Sequence, residues 1–138
     1  MMKNKTILAV GADIKNKFLI ADKKGLHHGP EITDLSDADS YSLFKKEATK
    51  AVKKYTPGII AHDLHPGYFS TIFAKDIAQT STTCDFFPIQ HHHAHIASVM
   101  HEYGLKGPAI GVSFDGTGYG TDGNIWGGEF LWLTAGDL

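Results

Sequence analysis

The order in which short apolar runs appear along this chain limits its fold more than any other feature. Thr6 to Val10 reads as a buried strand and Phe18 to Ala21 as a second, with Gly11 to Lys17 turning between them. Gly25 to Gly29 completes a meander after the Lys23-Lys24-Gly25 turn. The acidic stretch Glu31 to Asp39 reads as loop and offers Ser40 as a helix cap. From Tyr41 to Tyr55, the residues Phe44, Ala48, Ala51, Val52 and Tyr55 recur at helical spacing, with lysines on the opposite face. Pro57-Gly58 stops that helix. A short strand, Ile59 to Ala61, then leads into His62-Asp63-Leu64-His65-Pro66. A helix over Tyr68 to Gln79, a strand through Phe86 to Ile89 and a helix from His91 to about Tyr103-Gly104 follow. Ala109 to Phe114 and Trp126 to Leu133 are the last strands. Three strands followed by alternating helices and strands predict an α/β fold with a mixed sheet.

Composition excludes several classes of function. With 42% hydrophobic and 20% charged residues, the 138-residue chain can bury a core. A net charge of -2 leaves no polyanion footprint. All 13 basic residues are lysines, so the arginine forks of base readers are absent and no nucleic-acid partner is expected. Cys84 is the only cysteine, which excludes an intrachain disulfide and fits a reducing, cytoplasmic setting. The apolar run from Ile7 to Gly11 is too short for a signal peptide or a membrane span, so no membrane association is expected.

Histidines carry the chemistry. Five of the nine fall between His91 and His101. On a helix, His91 and His95 share a face at i and i+4 and can turn two imidazoles to one ion; His92 and His95, at i and i+3, are the less favoured pair. Asp115 follows the apolar run Ala109 to Phe114, which places it at a strand end as a third, oxygen ligand. Such a set suits zinc or iron and leaves coordination positions open for substrate. Its plainer alternative is an Asp-Gly turn. From Asp115 to Gly128 the chain is a glycine-dense hairpin, in which Gly116, Thr117, Gly118 and Gly120 offer backbone amides to a phosphate-bearing cofactor. A tight turn would need the same glycines. Asp63 and His65 are candidate catalytic residues, Asp63 orienting a group and His65 serving as polar contact or proton carrier, against the alternative of a capped loop. Cys84 reads as a small buried hydrophobe.

The motifs together are recognisable. Ile89 to Ala97 (IQHHHAHIA), Gly111 to Gly123 (GVSFDGTGYGTDG) and Ile125 to Phe130 (IWGGEF) closely resemble the carbamoyltransferase domain of the HypF hydrogenase-maturation family. Ile7 to Asn16 and His62 to Pro66 resemble the same family in the same order. The resemblance implies a ribonuclease-H-like lobe of the actin and sugar-kinase superfamily with a mixed sheet, plus the start of a second lobe. Residues 1–108 would form the first lobe and 109–138 the beginning of the second, truncated one. It implies that an ATP-activated carbamoyl group, as carbamoyl-adenylate, passes to the carboxyl-terminal cysteine of a HypE-like partner. His91, His95 and Asp115 would then hold a divalent metal, zinc or iron. The family's acylphosphatase-like, zinc-finger and adenylate-forming domains have no counterpart here, so a fragment is expected. Self-association through the apolar C-terminal strands is expected as well. The alternatives are another metal-dependent carbamoyl- or threonylcarbamoyltransferase, or an inactive metal-binding half-module.

Overall fold

The computed structural model describes residues 5–134 of the mixed α/β chain. It divides into two compact units, Met1–Pro88 and Ile89–Leu138. Among the described residues, no helix is long and apolar enough to cross a membrane.

In the first unit, β1 (Ile7–Ala9), β3 (Leu19–Asp22), β4 (Gly25–His28), β6 (Ile59–Asp63) and β7 (Asp85–Ile89) form a sheet ordered β4-β3-β1-β6-β7, β7 ending at the unit boundary. β1 pairs antiparallel with β3 and β3 with β4, which is the expected meander. β6 lies parallel to β1, a pairing that requires a crossover, and α1 (Ala38–Tyr55) supplies it. Two readings are corrected here. Gly11 to Lys17 is more than a turn, because Ile14–Asn16 forms β2; the acidic stretch is more than a loop, because Ile32–Asp34 forms β5. The two pair antiparallel, Asn16 opposite Ile32. Strands of three residues are too short to show a period of two, and their pairing is visible only in space. The cap of α1 is also corrected: Asp37, not Ser40, is the N-cap, and its carboxylate accepts the Ser40 amide at 2.8 Å. That amide holds the Asp37 carboxyl below its ordinary range.

One core closes this unit. α1 buries Phe44, Ala48 and Ala51 at i, i+4 and i+7, against Leu8, Ile20 and Ile60 of the sheet and Val10 just past β1. The Phe44 ring meets Phe18 and Phe73 edge-on, at 6.2 and 5.2 Å between centroids. Cys84 packs partly buried against this core, and burial pushes its thiol up, which favours the protonated form. α2 (Phe69–Thr80) has no side-chain cap from its own N-cap residue, Tyr68. Asp13 supplies it from across the fold, its buried carboxylate accepting the amides of Phe69 (2.8 Å) and Ser70 (3.0 Å). Asp13→Ala would leave both donors without that acceptor. It is expected to destabilise this unit by about 1–3 kcal/mol in chemical denaturation. An unchanged unfolding midpoint would contradict this role.

In the second unit, α3 (His91–Glu102) packs on a hairpin of β8 (Ala109–Tyr119) and β9 (Ile125–Leu133). Ile96 and Met100 of the helix meet Leu133, Ala109 and Leu131. Ile96 lies so close to Gly111 that a side chain there would overlap it. The reading that the strand ends at Phe114 is corrected: β8 runs on through Asp115 to Tyr119. Phe114 pairs with Gly128 and Gly118 with Trp126, so Asp115, Gly116 and Thr117 lie opposite the single residue Gly127. This is a bulge, and it explains why glycines that look like a turn in sequence sit inside a strand. The turn itself is Gly120 to Asn124, closed by the Gly120 amide on the Asn124 carbonyl at 2.8 Å.

Candidate metal centre

α3 starts where β7 ends, and its first residues carry the histidines. Gln90 is the N-cap, its side-chain oxygen accepting the His93 amide at 2.9 Å. From that start, His91 and His95 fall on one face, their Nε2 atoms 3.2 Å apart. Asp115 is presented to them by the β8 bulge rather than by a strand end, which corrects its expected setting. Its Oδ2 lies 2.9 Å from His91 Nε2 and 3.3 Å from His95 Nε2. Its Oδ1 accepts the Gly116 amide at 2.7 Å, which fixes the carboxylate's orientation. Burial acts to raise the Asp115 pKa, but the Gly116 amide and the two histidines outweigh it and hold the carboxyl below its ordinary range. The group is therefore ionised at neutral pH and ready as an oxygen ligand. Acidification through that lowered range would remove its attraction for the imidazoles.

The donor set fits a divalent ion. The nearest donor atoms of His91, His95 and Asp115 all lie within 4.8 Å of one another. Donors bound at about 2.0–2.2 Å stand about 2.8–3.6 Å apart at octahedral or tetrahedral angles, and the separations of 2.9 to 3.3 Å fall within that range. Two imidazoles and one carboxylate suit zinc and iron equally. The His91 side chain is 17% exposed and that of His95 58%, so the centre opens to solvent on the His95 side.

The remaining candidates are distributed unevenly. Gly116 has open space where a side chain would be, as does Gly127 across from it. Gly118 and Gly120 have packing reasons for lacking one: a Cβ at Gly118 would overlap the His92 ring, and one at Gly120 would overlap Trp126. Thr117 lies in the bulge and is exposed. Asp63 and His65 belong to the first unit. The Asp63 Oδ1 accepts the His65 amide at 2.8 Å, and the His65 ring stacks on Tyr68 at 4.3 Å. His92 turns onto the hairpin instead of into solvent and is fully buried. Sequence reasoning assigns no role to Asp13 or Gln90. The signal available for Gln90 was its place as a polar residue immediately before the histidine run.

Comparison with known proteins places these motifs in one family. The model for the HypF Kae1-like domain matches residues 2–102, and that for the second subdomain of the carbamoyltransferase Kae1-like domain matches residues 111–138. The Synechocystis carbamoyltransferase HypF is 40% identical over 135 residues, covering 96% of this chain and 17% of that protein. A Cupriavidus necator carbamoyltransferase HypF homolog is 37% identical over 130 residues, covering 93% of this chain and 33% of that one. Among solved structures, full-length HypF in its phosphate- and nucleotide-bound form superposes with a TM-score of 0.82 at 39% identity, over 94% of this chain and 17% of that chain. T. kodakarensis HypF does so with a TM-score of 0.84 at 36% identity, over 95% and 18%. The chain thus spans between about a sixth and a third of the relatives it matches.

Proposed function

Because the chain belongs to the HypF Kae1-like domain family, we propose that it is part of a carbamoyltransferase whose metal centre is His91, His95 and Asp115. The reaction it would serve is transfer of a carbamoyl group from carbamoyl-adenylate, made with ATP, to the carboxyl-terminal cysteine of a HypE-type partner. The observation that carries this reading is the convergence of two imidazole nitrogens and one carboxylate oxygen in the unit that bears the family's most specific motifs.

A bound zinc or iron would polarise the carbonyl or phosphate oxygen of the carbamoyl donor. The chain's own residues do the rest. Asp115 holds both imidazoles on one side, and the Gly116 amide keeps the carboxylate from rotating away. Gly116 and Gly127 leave the bulge open for a phosphate-bearing ligand to approach the backbone, with Thr117, Gly118 and Gly120 lining the same hairpin. In the first unit, Asp63 holds the His65 backbone amide, and His65 stays a candidate polar contact or proton carrier. In the transfer, a sulfur–carbon bond forms as the carbonyl carbon–oxygen bond to the adenylate breaks. AMP leaves with that electron pair, and the thiol proton goes to a base.

A chimera tests the proposal. The 138 residues would replace the matching segment of the Synechocystis relative, and labelled carbamoyl incorporation into HypE would be measured. Incorporation is expected, with loss of at least about 100-fold in the Asp115→Asn chimera. A folded chimera whose Asp115→Asn version transfers at the full rate would contradict it.

A further inference from the structure

Resting on the metal-centre reading above, we infer that Gln90 and His92 are positioning residues that set the distance between the α3 histidines and Asp115. Gln90 is held at three points. Its Oε1 accepts the His93 amide at 2.9 Å, which fixes which end of the side-chain amide is nitrogen. Its Nε2 then lies 3.0 Å from His92 Nδ1 and 3.4 Å from the carbonyl of Tyr119, the last residue of β8. Gln90 therefore ties the first turn of α3 to the strand that carries Asp115.

The same contact dictates the state of His92. An amide nitrogen donates, so His92 Nδ1 must accept, and the ring proton resides on Nε2. That nitrogen is buried without a partner among the described residues. An unsatisfied buried donor costs stability, and a phenylalanine of similar shape would fill the space without that cost. What the imidazole adds is the acceptor for Gln90. The ring is itself clamped, lying against Gly118 where no side chain fits and stacking on Trp126 of β9 at 6.5 Å between centroids. Trp126 is anchored in turn by its Nε1 donating to Asp122 at 3.0 Å. His91 is the residue between Gln90 and His92, so its backbone position follows from theirs. The 2.9 Å separation from Asp115 is a consequence of this lock.

The test uses Zn2+ alone as probe, with affinity read by competition against a chromophoric chelator and imidazole 15N shifts reporting the His92 tautomer. Gln90→Met, which removes all three hydrogen bonds, is expected to weaken Zn2+ binding by at least about 10-fold, the lower end of what changes outside the ligand shell cost metal sites. Gln90→Glu keeps the acceptor for the His93 amide and is expected to recover part of that affinity while moving the His92 proton to Nδ1. A Gln90 that merely packs, without donating to His92 Nδ1, would leave the tautomer where it is in the unaltered chain. If Gln90→Met fails to fold, His92→Phe keeps the ring volume and is expected to show the same loss. Unchanged affinity in either variant, or an unaltered chain with its His92 proton on Nδ1, would overturn the inference while leaving the metal centre standing. An unaltered chain that binds no Zn2+ would overturn the metal centre and this inference with it.

Discussion

Alanine in place of His91, His95 or Asp115, one at a time, is expected to weaken Zn2+ binding by on the order of 100- to 1000-fold each. A four-ligand zinc site is worth about 10–16 kcal/mol, or about 2.5–4 kcal/mol per ligand, and each substitution removes one donor outright. His93→Ala is expected to change affinity little. His93 lies off the His91–His95 face, and its contribution to the Gln90 contact is a backbone amide that alanine retains. His92→Ala should fall between, because its ring supports the helix start without facing Asp115. Chelator competition on the four histidine variants and Asp115→Ala would measure the pattern. Equal losses at all four histidines would mean a nonspecific cluster and would remove the basis for the centre.

Given carbamoyl-adenylate and reduced HypE, the 138-residue polypeptide on its own is expected to leave the HypE cysteine unmodified. It corresponds to 17% of the Synechocystis relative, and the second-subdomain model matches it only over residues 111–138. Its hairpin is covered by α3 on one face. On the other, Ile110 stands beside Trp132 and Val112 beside Phe130, with Phe114 85% exposed. A two-stranded ribbon with one bare apolar face is marginal until something packs on it. In the isolated polypeptide, a second copy is the expected cover, giving a dimer in sedimentation measurements and weak nucleotide binding. Carbamoylated HypE in that assay would show that this segment suffices for transfer.

The parts of this fold that rest on local signals were legible in the sequence. Phe44, Ala48 and Ala51 mark the buried face of α1, and the short run Ile59 to Ala61 marks the parallel strand beside β1. β2 and β5 were not legible, since three residues carry no period and Asn16 is held by backbone carbonyls of its own turn. Gly116 and Gly118 read as turn residues because glycine gives the same signal in a turn and in a bulge; only the pairing of Phe114 with Gly128 and Gly118 with Trp126 tells them apart. For the candidate site, the i, i+4 spacing of His91 and His95 follows from helix geometry alone. The setting of Asp115 does not, because it depends on where β8 bulges. The roles of Gln90 and His92 were hidden for a related reason. Both depend on Tyr119 and Trp126, residues of the hairpin that no sequence pattern connects to the histidine run.

X-ray absorption at the metal edge of the zinc- or iron-loaded chain tests the central claim most directly, because it reads the ligands of the ion itself. The expected spectrum shows imidazole scattering from two histidines and a nitrogen and oxygen shell at about 2.0–2.2 Å. That imidazole signal is expected to be lost in the His91→Ala, His95→Ala double variant. A chain that takes up no ion, or a double variant whose spectrum matches that of the unaltered chain, would contradict the assignment of His91, His95 and Asp115 as the metal centre.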